Sequence, residues 1–133
     1  MSKVVFPRME VLQQIYELTT EISKNRFITS RPNASDRQMQ EFLLIRIPQS
    51  IDPWGDACQF STGQIVMFAR DGQGGIENTL ALEQLQNSVM ALFGENGVIN
   101  TDRFTAWEPR LLPGGSDGAG FHSLIIQFQL QIK

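Results

Sequence analysis

The strongest constraint on the fold is a strict alternation of side chains close to the C-terminal end of the sequence. From Leu124 to Ile132, apolar residues occupy every second position, and Gln127, Gln129 and Gln131 lie between them. A period of two residues is typical of a β-strand with one face on a hydrophobic core and the other in water. The segment therefore predicts a structural strand and a sheet that this strand completes.

Size and composition favour one soluble domain over residues 1–133. The chain is 41% hydrophobic and 19% charged, which is ordinary for a globular protein that buries its own core. The net charge of -3 gives no basic surface for a phosphate backbone, so we expect no specific nucleic-acid partner. We also expect no membrane span, because no apolar run approaches the necessary length. The expected location during synthesis is the cytoplasm.

Two segments have the apolar spacing of amphipathic helices. Apolar residues recur at three- and four-residue steps from Met9 to Ile22, which predicts a helix from about Pro7 to Lys24. A second stripe predicts a helix from about Asn78 to Phe93. Asn78 or Thr79 can cap its start, and Gly94 fits its end.

Three further segments are typical of strands. They are Phe42–Ile47, Gln64–Arg70 with a start as early as Cys58, and Arg103–Leu112, where Pro109 indicates an edge position or a bend. The predicted order of elements is α-β-β-α-β-β. This order predicts an α+β fold with a mainly antiparallel sheet and two helices packed on one face.

Two glycine-rich segments separate these elements. Asp71–Gly75 lacks the Lys and Ser or Thr of a phosphate-binding loop, so we interpret it as a turn between a strand and a helix. Pro113–Gly120 is interpreted as a hairpin connection. It is longer than most such loops, which favours a segment that orders on meeting a partner.

The side chains that could carry chemistry are few and scattered. His122 is the single histidine and Cys58 the single cysteine, which excludes an internal disulfide and argues against a zinc site. Nothing in the sequence places the carboxylates of Asp56 and Asp102 together. We therefore predict no catalytic residue, no metal ligand and no cofactor. Trp54, in a polar loop, fits a protein interface or a position folded over the sheet equally well.

The chain resembles a family, the tail-terminator or tail-completion proteins of long-tailed bacteriophages. The resemblance is an order of elements over nearly the whole chain: Met9–Ile22, Phe42–Ile47 with Ile65–Arg70, Leu82–Phe93, and Phe104–Leu112 with Leu124–Ile132. It implies a ring-forming subunit, six around an axis, that caps the tail tube and joins it to the head–neck. The implied partners are further copies of the chain, the tail tube protein and a neck or connector protein. The implied location is the virion tail or neck.

Such a ring needs contacts that close head to tail. The candidate interface residues are loop aromatics and aliphatics, two strand arginines and the predicted hairpin connection: Phe27, Ile28, Arg46, Trp54, Phe60, Arg70, Gly114, Gly115 and Asp117.

The sequence is also compatible with two other functions. One is another neck or connector subunit, or the adaptor of a contractile injection system. The other is an enzyme or a small-ligand-binding domain, in which His122, the segment Pro113–Gly120 and Asp56 or Asp102 would converge on a pocket.

Overall fold

The computed structural model describes residues 8–30, 39–48, 52–54 and 58–133; Pro7 and Asp56 lie outside these ranges. The described chain forms two α-helices and seven β-strands. In chain order they are α1 (Arg8–Leu18), β1 (Arg26–Ile28), β2 (Glu41–Arg46), β3 (Asp52–Trp54), β4 (Cys58–Arg70), α2 (Thr79–Ala91), β5 (Val98–Asn100), β6 (Phe104–Ser116) and β7 (Phe121–Ile132).

All seven strands belong to one sheet. Its order is β1-β2-β4-β7-β6-β5, and β3 pairs with the start of β4. Every pair is antiparallel except β1 with β2, which is parallel. The α+β prediction is confirmed, and the predicted order corresponds to α1, β2, β4, α2, β6 and β7. The three short strands β1, β3 and β5 were not predicted.

The alternation in β7 gives the sheet a face that both helices cover. Ile126, Leu130 and Ile132 are almost fully buried on this face, whereas Gln129 on the other face is exposed. Burial of these aliphatic side chains stabilises the fold by roughly 1.5–3 kcal/mol each. The core on this face joins side chains of both helices to four strands: Val11, Leu12, Ile15, Leu43, Ile45, Ile47, Ile65, Met67, Leu85, Val89, Phe93, Phe104, Ala106, Ile126, Phe128, Leu130 and Ile132.

Gly63 in β4 allows a close approach within this core. It lies opposite Phe128, and a Cβ atom on Gly63 would stand 2.3 Å from Cε2 of that ring. The Phe128 ring therefore occupies the space that a side chain at position 63 would fill, and its neighbour across the core is Phe93, with ring centroids 5.5 Å apart.

The first helix is shorter than predicted. It ends at Leu18 rather than near Lys24, and turns continue to Ile22. The hydroxyl of Thr19 donates to the carbonyls of Ile15 and Tyr16, and that of Thr20 donates to Glu17. Threonine side chains that bond back to the preceding turn compete with continued helix, so the apolar stripe alone overestimated its length.

The second helix agrees with the prediction. The Asn78 side chain accepts a hydrogen bond from the backbone N–H of Ala81 at 3.2 Å, so Asn78 is the N-cap of the two predicted candidates. Leu82, Leu85 and Val89 form its buried stripe. In the described part of the chain, neither helix is long and apolar enough to cross a membrane.

The face of the sheet without helices carries a smaller apolar cluster, at the end of the sheet where β4 finishes and β7 begins. The ring of Phe42 is stacked on Phe68, with centroids 4.3 Å apart, and meets the edges of Phe121 at 5.2 Å and Phe27 at 5.9 Å. Phe42 and Leu44 thus face away from Leu43 and Ile45, as alternate residues of a strand do.

The hairpin between β6 and β7 differs from the prediction. Strand β6 continues to Ser116 and β7 starts at Phe121, so the connection is Asp117–Gly120 rather than Pro113–Gly120. A connection this short is ordinary for a hairpin, which removes the length argument for a special role. Pro109 lies at a register shift between Trp107 and Arg110, as a proline-induced bend predicts.

Candidate interaction surfaces

A groove crosses the helix-free face of the sheet. Its volume is about 570 Å³, and its lining is half apolar and half polar: Thr29, Ser30, Leu44, Arg46, Val66, Phe68, Gly114, Asp117, Ser123 and Ile125. Three of the predicted interface residues, Arg46, Gly114 and Asp117, lie together in this groove. The structure thus brings together residues that are far apart in the sequence.

A row of polar side chains crosses the sheet beside the groove. Nε of Arg46 donates to Oε1 of Gln64 at 2.7 Å, and Nε2 of Gln64 donates to Oε1 of Gln127 at 2.7 Å. Arg110 on β6 lies opposite Gln127 and continues the row. The Gln64 side chain is nearly buried, so these hydrogen bonds satisfy groups that water reaches poorly.

The predicted interface residues of the hairpin have local structural roles. A Cβ atom on Gly114 would lie 2.1 Å from Oγ of Ser123, and Gly115 has a φ of +72° at a register shift. Oδ1 of Asp117 accepts hydrogen bonds from the backbone N–H groups of Ala119 and Phe121, at 2.7 and 3.0 Å. These residues shape the tip, and their part in an interface stays a prediction.

Phe27 and Ile28 lie on a strand, not in the loop where they were expected. Both are half-buried on β1, with Phe27 against the aromatic cluster and Ile28 against the helix-covered core. Phe60 is half-buried on β4. The backbone of Trp54 belongs to β3, also not to a loop, and its side chain lies outside the described part of the structure.

Arg70 is committed to internal contacts. Its guanidinium donates to the carbonyl of Met39 through Nε and Nη2, at 3.1 and 2.9 Å, and lies over the ring of Phe121 at 4.7 Å. The side chain thus covers one end of the aromatic cluster. A bond from Arg70 to a neighbouring subunit would have to compete with these contacts.

His122 forms an ion pair that the sequence did not reveal. Its Nδ1 lies 2.5 Å from Oδ1 of Asp71, in the turn after β4, and the side chains of both are mostly shielded from water. The bond to Asp71 raises the pKa of His122 above its ordinary value, and the nearby charges of Asp71, Glu77 and Asp117 act in the same direction. The backbone N–H of Asp71 also donates to the carbonyl of Gly120, so the pair holds the hairpin tip to this turn.

In the enzyme alternative, His122 and Asp56 or Asp102 would converge on one pocket. The structure does not bring His122 and Asp102 together. The acid beside His122 is Asp71, not Asp102. Asp102 precedes Phe104, which pairs with Ile132 at the opposite end of β7, roughly 33 Å from His122 at about 3.3 Å per residue. Asp56 lies outside the described residues.

Asp102 instead belongs to contacts that tie α1 to the end of the sheet. Nε2 of Gln14 donates to Oδ1 of Asp102 at 3.0 Å, and this bond lowers the pKa of Asp102. Arg103 forms an ion pair with Glu10 at 2.7 Å. Among the described residues, no cluster of three or more His, Cys, Asp or Glu side chains is arranged to hold a metal ion.

Sequence reasoning missed a second surface, between α2 and β6. Leu82, Leu111 and Leu124 form the floor of a cleft of about 330 Å³, and Glu77 and Glu83 lie at its rim. Leu111 is 45% exposed although it lies within a strand. The bulge in β6 and the position of α2 over β4 and β7 create this cleft. The sequence offered only one signal, an apolar Leu111 beside two prolines.

Among known proteins, the similarity that was found is one of fold. No protein-family model and no curated protein matches the chain. Solved structures do share the fold. One of them, whose name states no function, has a TM-score of 0.57 and 15% sequence identity, and the match covers 95% of this chain and 91% of the other.

Proposed function

We propose that this protein is a ring-forming structural subunit of a phage or prophage virion, which caps the tail tube and joins it to the head–neck. The order α1, β2, β4, α2, β6, β7 supports this proposal, because it is the order on which the resemblance to tail-terminator proteins rests. Fold order alone is shared by unrelated proteins, so the proposal depends on surface features as well.

The observation that carries the proposal is the distribution of large exposed apolar side chains. Met9 and Leu18 lie on α1, and Leu80 lies in the first turn of α2, with Ile76 just before it. Val98 lies on β5 and Leu111 on β6. A subunit of a closed ring needs two different surfaces, since each copy meets one neighbour on each side. Separate apolar groups on the two helices and on β6 meet this requirement.

The helix-free face provides a further surface for a partner outside the ring. Arg46, Gln64 and Gln127 present a hydrogen-bonded polar row beside the groove, whose lining includes Leu44 and Ile125. A mixed surface of this kind is typical of protein interfaces, in which an apolar centre has a polar margin. The proposed partners are the tail tube protein on one side and a neck or connector protein on the other, within the virion.

The proposal is tested by the mass and shape of the assembled protein. Light scattering on a sizing column, followed by negative-stain images of the same fractions, should give a ring of about 90 kDa for six copies of 15.0 kDa. A central hole in the images is the second expected result. A species of 15.0 kDa at the highest soluble concentration, with no rings in the images, would contradict a self-assembling ring.

A further inference from the structure

The cleft between α2 and β6 has an apolar floor and an acidic rim. Leu82 is buried beneath it, Leu124 is half-buried and Leu111 is 45% exposed. Glu77 and Glu83 border this floor, and the described residues that line the cleft include no basic side chain. Its volume of about 330 Å³ falls in the range of clefts that take up a large apolar group. The cleft therefore suits an occupant that is apolar and positively charged.

One segment of this chain has that chemistry. Residues 2–8 read Ser-Lys-Val-Val-Phe-Pro-Arg, with two positive charges, no negative charge and three consecutive apolar residues. The apolar group Val4, Val5 and Phe6 matches the leucine floor, and Lys3 matches the two glutamates of the rim. Complementary charge around an apolar contact fixes the partner and its orientation.

We infer that the cleft between α2 and β6 binds residues 3–6 of a second copy of the chain. This inference rests on the proposed function, because it supplies the head-to-tail contact that a ring requires. Phe6 is the apolar anchor over Leu111 and Leu124, and Lys3 lies near Glu77 and Glu83. A contact between two different surfaces of the same chain is heterologous, so it closes rings or extends chains of subunits.

The length of the segment favours a neighbouring copy over the same copy. Met9 lines a cavity with Arg103, and Glu10 is bonded to Arg103, which places the start of α1 near the start of β6. Leu111 lies roughly 26 Å further along β6, at about 3.3 Å per residue. Phe6 can extend at most about 11 Å from Met9. The Cα atom of Phe6 therefore does not reach Leu111 of the same copy, which favours the cleft of a neighbouring copy.

The backbone of β6 limits how the segment is held. The outer side of β6 pairs with β5 only over Thr105–Trp107. From residue 108 to Ser116, this edge has no strand partner among the described residues. Pro109 and Pro113 have no N–H to donate there, so a continuous ladder with a new strand is interrupted. Recognition consequently depends on side chains in the cleft.

Two substitutions in the full chain test this contact from both sides. Phe6→Asp removes the anchor and leaves the cleft intact, whereas Leu111→Asp blocks the cleft and leaves the segment intact. Each is expected to weaken self-association at least tenfold, measured by sedimentation velocity over a concentration series. An equimolar mixture should form dimers and no larger species, because only one productive contact remains. Gln84→Asp, at an exposed position of α2 outside the lining of the cleft, is the matched control and should associate like the parent protein.

A synthetic peptide of residues 2–8 gives a measurement that does not depend on ring formation. It should bind the full chain, bind Leu111→Asp at least tenfold more weakly, and bind Glu83→Lys about two- to fivefold more weakly at low salt. A peptide of the same composition in scrambled order is the control. If rings form and neither Phe6→Asp nor Leu111→Asp weakens them, the inference is wrong and the proposed function stands. If the peptide binds in the cleft and no ring forms, the inference stands and the self-assembling ring is wrong. Absence of peptide binding to the full chain also contradicts the inference.

Discussion

The two faces of the sheet bury apolar side chains by different means. On one face, aliphatic residues such as Ile65 and Ile126 pack beneath α1 and α2. On the other, four phenylalanine rings shield one another, and the guanidinium of Arg70 covers one of them. A face shielded by its own side chains leaves concave space between them, and the groove of about 570 Å³ lies there. The helix-covered face thus holds the larger buried cluster, and the helix-free face leaves a groove open to water.

The largest expected effect is the loss of stability when a phenylalanine of the helix-covered core, Phe128, is truncated. This ring is 2% exposed in the helix-covered core, so Phe128→Ala should lower the free energy of unfolding by about 3–5 kcal/mol, measured by denaturation in urea. Phe68→Ala on the helix-free face should lower it less, because Phe68 lines an open groove that water can fill. The exposed neighbour Gln129→Ala serves as the control. Equal losses for the two phenylalanines would show that the faces do not differ as described.

A smaller effect is expected at the polar row. Gln64→Leu removes the acceptor of Arg46 and the donor to Gln127, and it should lower the free energy of unfolding by about 1 kcal/mol in the same measurement. Gln131→Leu, on the same face of the sheet but without a described side-chain bond to this row, should have little effect. A more stable Gln64→Leu protein would mean that the row is not maintained for stability, and an interface role would then be its better explanation.

The smallest expected effect is a dependence of stability on pH. The pKa of His122 is raised in the folded protein, so its ion pair with Asp71 stabilises the fold fully below the unfolded pKa, near 6.5. This contribution is lost as the pH rises through the folded pKa. Denaturation of the parent protein and of His122→Gln at pH 5 and pH 9 should therefore show a larger difference at pH 5. A difference that is the same at both pH values would exclude the ion pair as its cause.

The helix-covered face could be predicted because its signals are local. The alternation in β7 and the cap at Asn78 each depend on a few neighbouring residues, and both agree with the structure. The end of α1 at Leu18 could not be predicted from its apolar stripe, since hydroxyl bonds from Thr19 and Thr20 replace helix there.

The surfaces could not be predicted because they depend on contacts between distant residues. Asp71 and His122 are 51 positions apart, and no local pattern joins them. Strand β1 has three residues and pairs in parallel with β2, which a strand signal of that length does not reveal. Three of the predicted interface residues, Arg46, Gly114 and Asp117, line one groove. Their grouping depends on the folded sheet, which brings β2 close to the β6–β7 hairpin.

The position of β7 in the sheet has a consequence for how the protein is made. This strand lies between β4 and β6 and contacts both along most of its length, yet it follows them in the chain. On the ribosome, neither β4 nor β6 has its central partner until β7 has been translated. The central pairings of the sheet then form late, between residues such as Ile65 and Ile126, and such long-range pairing is slow. During this interval the apolar face of β4 depends on the helices that are translated before β7, and its unpaired edge is a site at which nascent chains can aggregate.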